Sequence, residues 1–339
     1  MKAIGLTRFL PLDDADSLKE FDVPAPIAQA RDLLVRVKAI SVNPVDAKVR
    51  STAKDTLSAP KILGYDAAGV VEAVGSDVTL FKPGDEVFYA GDITRPGTNA
   101  ELHVVDERIV GRRPASLDFA ESAALPLTSM TAWELMFERM HIDVNGADRG
   151  KRLLILSGAG GVGSMAIQLA KLAGLVVIAT ASRAETQEWC KTLGADYVID
   201  HRKPIKDQLK SLEFERVDFI VNLVDTDGYW QLMGELIAPQ GHIGCIVEPK
   251  KDVYVGNPLK DASVGIHWES MFTRSRHKTA DMIEQHKILD RVADLVDAGK
   301  IRSTLFKTFR PINAENLREA HKLIESGKSI GKMALDGWL

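Results

Sequence analysis

Apolar and polar positions follow two different rhythms along this chain. From the N-terminus to about Leu127 the rhythm is that of strands. Residues 32–40 (DLLVRVKAI) alternate, with Leu33, Val35 and Val37 on one face and Leu34, Arg36 and Lys38 on the other, which predicts a half-buried strand. Residues 68–75, 85–90 and 100–105 continue the pattern. Lys82-Pro83-Gly84-Asp85 joins a proline with preset φ to a glycine free to take positive φ, the chemistry of a type II turn. After Leu127 the period changes. Residues 128–140 (TSMTAWELMFERM) carry helical spacing, and 145–150 (NGADRG) read as a loop. Strand-like segments at 152–157, 175–181, 196–200, 217–224, 241–247 and 262–268 then alternate with helix-like ones at 164–173, 184–193, 205–212 and 228–237. Such alternation implies right-handed crossovers and a doubly wound parallel sheet, and six strands make two mononucleotide-binding halves. The tail predicts a long amphipathic helix over 279–299, a short strand over 305–309 and a second helix over 313–326. The fold class is therefore α/β, a β-rich first part followed by a doubly wound parallel sheet.

Composition narrows the function. A length of 339 residues, 45% of them hydrophobic, suggests two domains, each able to bury a core. The net charge of −4 supplies no basic field for nucleic acid. No apolar run approaches the ~18 residues of a membrane span, and the first residues do not read as a secretory signal. Two cysteines, Cys190 and Cys245, exclude a disulfide framework and a four-cysteine zinc site, and fit a reducing, cytoplasmic compartment.

The most informative segment is residues 153–170, LLILSGAGGVGSMAIQLA. A buried strand runs into Gly158-Ala159-Gly160-Gly161-Val162-Gly163 and directly on into a helix, giving the G-x-G-x-x-G spacing in its confirming context. Gly158 is expected to permit the tight turn, Gly160 to let backbone approach a pyrophosphate, and Gly163 to let the helix sit close to the strand. Free N–H groups at the helix start then face phosphates. An NAD site places Asp or Glu about 20 residues beyond the loop, at the end of the second strand. Here that stretch reads Ile178-Ala179-Thr180-Ala181-Ser182-Arg183, without an acid. Ser182 and Arg183 suit a 2′-phosphate, which predicts NADP(H). His201, after the third strand, is a further candidate for the adenosine end.

Gly64-Tyr65-Asp66-Ala67-Ala68-Gly69, Lys82-Pro83-Gly84-Asp85-Glu86-Val87 and Gly160-Gly161-Val162-Gly163 resemble the medium-chain dehydrogenase/reductase superfamily. Residues 41–50 (SVNPVDAKVR) and 267–274 (HWESMFTR) resemble its quinone oxidoreductase-like branch, often labelled zinc-type alcohol dehydrogenase-like. The resemblance implies a GroES-like catalytic domain over 1–127, a Rossmann NADP-binding domain over 128–270, and a return of 271–339 to the catalytic domain. It also implies a homodimer through the sixth Rossmann strand. The superfamily's zinc enzymes hold a catalytic metal with Cys, His and Cys. At the matching positions this chain has Asn43, Tyr65 and a residue near Leu127, and no zinc is expected.

Without a Lewis acid, oxidation of a simple alcohol is disfavoured. Hydride delivery to a quinone or an α,β-unsaturated carbonyl remains feasible, because such an acceptor is already electrophilic and the protein has only to orient it and stabilise a developing oxyanion. The groups at the vacated metal position are the candidates: the Asn43 amide, the Tyr65 phenol, and Lys48, which aligns with a proton-relay position of the zinc enzymes. The resemblance further implies that Thr131 contacts the nicotinamide side and that Leu223 and Val224 lie near the adenosine ribose. Cys245 and Ile246 are expected to flank the nicotinamide, and Phe272 to close over the site. Two other readings remain open: an alcohol or aldehyde dehydrogenase that uses zinc, and a non-catalytic NADPH-binding protein.

Overall fold

A computed structural model describes residues 1–53 and 55–338. Its strands, in chain order, are β1 (Lys2–Leu6), β2 (Lys19–Asp22), β3 (Asp32–Val42), β4 (Lys61–Ile62), β5 (Ala67–Val74), β6 (Glu86–Tyr89), β7 (Leu102–Asp106) and β8 (Val110–Arg112). They continue with β9 (Arg152–Leu156), β10 (Val176–Thr180), β11 (Tyr197–Ile199), β12 (Val217–Asn222), β13 (Ile237–Cys245), β14 (Gly265–Trp268), β15 (Leu305–Phe309) and β16 (Lys332–Asp336). Two compact units form. One comprises Met1–Met130 together with the chain from Phe272 onward, the other Thr131–Met271.

In the first unit the alternation of β3 does what its sequence predicts. Leu33, Val35 and Val37 are buried, while Arg36 and Lys38 face solvent. Its main sheet runs β15-β16-β3-β5-β6-β8, with β7 also pairing β3, and a second sheet runs β2-β1-β4. β16 lies antiparallel to β3 with Met333 opposite Val42. That register sets Lys332, the first residue of β16, beside the end of β3, where the chain turns into the helix Pro44–Arg50.

The second unit is an all-parallel sheet in the order β11-β10-β9-β12-β13-β14. The order reverses between β10 and β12, on either side of β9, and this reversal makes the crevice at the carboxyl ends of the strands where such sheets take ligands. Leu154, Leu156, Ile178, Ile220 and Ile243 form its core with crossover residues such as Leu209, Met233 and Leu236.

Several elements differ from expectation. The helical stretch over 128–140 is an α-helix only over Pro126–Trp133 and widens to a π-helix over Glu134–Arg139. Apolar periodicity cannot separate the two over so short a run. The tail helix is confined to Glu284–Asp297. β13 begins at Ile237, directly after the helix Thr226–Leu236. No helix among the described residues is long and apolar enough to cross a membrane.

Candidate active site

A buried polar cluster sits where β3, β5 and β16 of the first unit converge. Asn43 follows β3 and caps the helix Pro44–Arg50. Its backbone N–H donates to Asp46 Oδ2 at 2.7 Å, and Pro44 occupies the first helical position, where no N–H is needed. Tyr65 and Asp66 precede β5. They are preceded by Gly64 at φ +108°, where a Cβ would lie 2.4 Å from Asn99 Oδ1 and 2.5 Å from Thr98 Oγ1, so only glycine fits. Asp66 is wholly inaccessible, and it accepts hydrogen bonds from Asn43 Nδ2 (2.7 Å), Lys332 Nζ (2.9 Å) and the Leu127 N–H (2.8 Å). Burial pushes its carboxyl above the ordinary value, and Lys332, the Asn43 amide and the Leu127 N–H pull the other way. Every partner is a donor, so the geometry holds the carboxylate.

Asp46 is buried alongside, with Oδ1 lacking any hydrogen-bond partner. Burial raises it to about 7. Asp66 pushes in the same direction, while the Asn43 N–H and Lys332 oppose. The unfolded chain releases this proton near 3.8 and the folded protein near 7, so the folded state holds an extra proton between those values. Stability contributed at Asp46 therefore falls as pH rises through that window. Asp46→Asn is expected to match wild type near pH 4 and to exceed it at pH 8, by up to ~4 kcal/mol, the free energy separating the two proton affinities. Urea unfolding at the two pH values checks this, and an equal wild-type-to-variant difference at both would refute it.

The Tyr65 phenol is raised above its ordinary value by burial, then by the charges of Asp46 and Asp92. It therefore stays protonated and can donate. Its ring meets Phe272 edge-to-face at 5.3 Å. Lys48 stands apart: it lies exposed on the helix Pro44–Arg50, whose buried face carries Asp46 and Arg50.

In the second unit the remaining candidates follow successive strands at the carboxyl end of the sheet. The turn after β9 leads into the helix Gly161–Leu172, whose N-cap Gly160 provides no side-chain cap. The N–H groups of Gly161, Val162 and Gly163 thus begin a helix with an open, anion-accepting start. A Cβ on Gly163 would lie 2.3 Å from Ser157 O, whereas one on Gly160 would meet nothing closer than 3.6 Å. Gly158 has a different role from the one its spacing suggested. The left-handed residue of the turn is Ser157 (φ 74°), and Gly158 is needed because a Cβ there would lie 2.7 Å from that of Ala179. Thr180 ends β10, and its hydroxyl accepts the Ser157 N–H at 2.9 Å, bracing the turn.

Ser182 and Arg183 follow, half-buried, with Arg183 capping the helix Ala184–Thr192. His201 is exposed after β11. Leu223 and the exposed Val224 follow β12. Cys245 ends β13 with its thiol raised to about 11 by burial, and Ile246 comes next. Thr131 is buried in the helix Pro126–Trp133.

An alcohol dehydrogenase GroES-like domain matches residues 29–115, and a zinc-binding dehydrogenase family matches residues 193–335. A zinc-type alcohol dehydrogenase-like protein of Staphylococcus aureus (strain MSSA476) is 44% identical over 337 residues, 99% of this chain and 100% of its own. The chain belongs to the zinc-type alcohol dehydrogenase-like family. Within the medium-chain dehydrogenases/reductases it falls in the quinone oxidoreductase-like branch. A crystal structure named for a zinc-dependent alcohol dehydrogenase of Rhizobium etli CFN 42 superposes with a TM-score of 0.94 at 50% identity, covering 100% of this chain and 98% of that one. The quinone oxidoreductase of Pseudomonas syringae pv. Tomato DC3000 superposes with a TM-score of 0.82 at 26% identity, covering 99% of each.

The family label raises the question of zinc, and the donor set does not fit it. Zinc requires several convergent nitrogen, sulfur or carboxylate ligands. Among the described residues no three His, Cys, Asp or Glu side chains could hold a metal. At the position in question the Asn43 oxygen and one Asp66 oxygen are already taken by an ammonium, and Leu127 contributes a backbone donor.

Sequence reasoning missed four residues here. Asp46 and Asp66 lay within motifs read for other members. Lys332 is 289 residues from Asn43 in sequence and gave no local signal. Arg202 donates to Ser182 O at 2.6 Å and grips Asp200, whose carboxyl it pulls down to about 2. This puts a second guanidinium beside the residues chosen for the 2′-phosphate.

Proposed function

We propose that this family member is an NADPH-dependent reductase of quinones or α,β-unsaturated carbonyls that works without a metal. The observation that carries the reading is the Asn43–Asp66–Lys332 cluster, a buried hydrogen-bonded ion pair at the metal position of the zinc enzymes. The uncapped helix start after Gly160 fits a dinucleotide pyrophosphate. When bound, the reduced nicotinamide supplies a hydride. Asn43 and Tyr65 then have one task, to donate hydrogen bonds to the acceptor oxygen as negative charge builds on it. The only two cysteines, Cys190 and Cys245, are buried and form no disulfide, which supports a reducing, cytoplasmic setting. β14 is an edge strand with Trp268 exposed, and it supports a homodimer formed along that edge.

The test is NADPH consumption over a panel of quinones, enones and aldehydes, with elemental analysis of the purified protein. Turnover with quinones or enones in zinc-free protein is expected. Activity confined to alcohols or aldehydes and abolished by a chelator would overturn the reading, and tight NADPH binding with no turnover would favour a non-catalytic role. Tyr65→Phe and Asn43→Ala are each expected to lower kcat by about 10- to 100-fold with NADPH affinity unchanged. Arg183→Ala combined with Arg202→Ala is expected to lower kcat/KM for NADPH by about 10- to 100-fold and to leave NADH nearly unaffected. Equal losses with both nucleotides would remove the 2′-phosphate from that position.

A further inference from the structure

We propose that Lys332 is a positioning residue: its buried ammonium fixes the orientation of the Asn43 amide, so that an N–H rather than the carbonyl oxygen is the group left for the acceptor. The role rests on the reductase reading above. The two ends of an asparagine amide are nearly identical in shape, and only hydrogen bonding distinguishes them. Asn43 lies between a group that can only donate and one that, ionised, can only accept. Its Oδ1 receives Lys332 Nζ at 2.6 Å, and its Nδ2 donates to Asp66 Oδ2 at 2.7 Å. Turned over, the amide would set NH2 against an ammonium and oxygen against a carboxylate, two repulsive contacts in a site that is almost wholly inaccessible. The observed orientation spends one N–H on Asp66 and leaves the second as a donor.

Lys332 cannot itself serve as that donor. Its three N–H bonds are matched by three acceptors, Val42 O at 2.9 Å, Asn43 Oδ1 and Asp66 Oδ2. It also polarises the amide, strengthening the remaining N–H as a donor. The β16–β3 register holds the ammonium in place without help from any flexible loop.

The test is a double-mutant cycle read with NADPH and a 1,4-benzoquinone. Lys332→Met is expected to lower kcat by about tenfold or more with KM for NADPH unchanged. Lys332→Arg, which retains donors at the site, should recover most of the loss. In an Asn43→Ala background Lys332→Met should cost less than about twofold, because the residue it acts through is gone. Should Lys332→Met fail to fold, Asp66→Asn/Lys332→Met restores charge balance and should keep the kcat defect.

Full activity in a folded Lys332→Met variant, or undiminished loss in the Asn43→Ala background, overturns the proposal. If wild-type protein reduces no quinone or enone, the functional reading falls on its own. The side-chain NH2 signals of Asn43 in NMR spectra, assigned through Asn43→Ala, then decide the positioning. Sharp signals in wild type that broaden or double in Lys332→Met support it, and signals unchanged in that variant refute it.

Discussion

Gly163→Ala is expected to lower NADPH affinity by about a hundredfold or more, while Gly160→Ala leaves the fold intact and weakens binding less. The added Cβ at Gly163 would sit 2.3 Å from Ser157 O and 2.7 Å from Gly158 O. Both are backbone atoms of the turn, with no rotamer to relieve the contact. The helix Gly161–Leu172 has to move off the end of β9, and overpacking of this kind costs about 1–3 kcal/mol or more. The N–H groups at its start move with it, and a misplacement of about 1 Å is enough to cost a hundredfold. At Gly160 the nearest protein atoms are 3.6 Å away, so a methyl group there tests only the space a pyrophosphate needs. Isothermal titration with NADPH beside thermal unfolding separates the two cases. Wild-type affinity in Gly163→Ala would remove the pyrophosphate from this turn.

Asp66→Ala is expected to destabilise the protein by about 3–5 kcal/mol, because it strands the Lys332 ammonium in a buried site with only Val42 O and Asn43 Oδ1 as acceptors. The substitution also removes the carboxylate that accepts from the Leu127 N–H and from Asn43 Nδ2. Asp66→Leu with Lys332→Met removes both charges together. That pair should recover much of the loss, since a buried ion pair replaced as a unit by apolar groups is often neutral. Urea denaturation of the three proteins reads this directly. An Asp66→Ala variant within about 1 kcal/mol of wild type would mean that water reaches the ammonium.

The parallel sheet was legible because its signals are local. Each crossover fits within a few turns of chain, and the glycine turn is contiguous with the strand and helix that give it meaning. The assignment of an α/β fold, a GroES-like part and a Rossmann sheet agrees with the matched families. What could not be read was the part set by long-range pairing. Asn43 and Tyr65 were singled out from motif positions, yet the groups that define their chemistry, Asp46 and Lys332, come from a helix cap and from a strand far along the chain. Lys48 shows the converse. Motif alignment nominated it, but the helix Pro44–Arg50 turns Asp46 and Arg50 inward and leaves Lys48 in solvent. Gly158 and Ser157 show a third limit, since spacing identifies a turn without saying which residue takes the positive φ.

The place of β16 against β3 bears on how the protein matures in the cell. The nucleotide-type sheet is complete within one uninterrupted stretch and can fold as it leaves the ribosome. The other unit cannot close its main sheet until the stretch inserted between its two parts has been made and β16 has emerged. Asn43 must therefore wait through 289 further residues of synthesis before it meets its lysine. During that interval β3 lacks its β16 partner and Asp66 lacks its counter-charge.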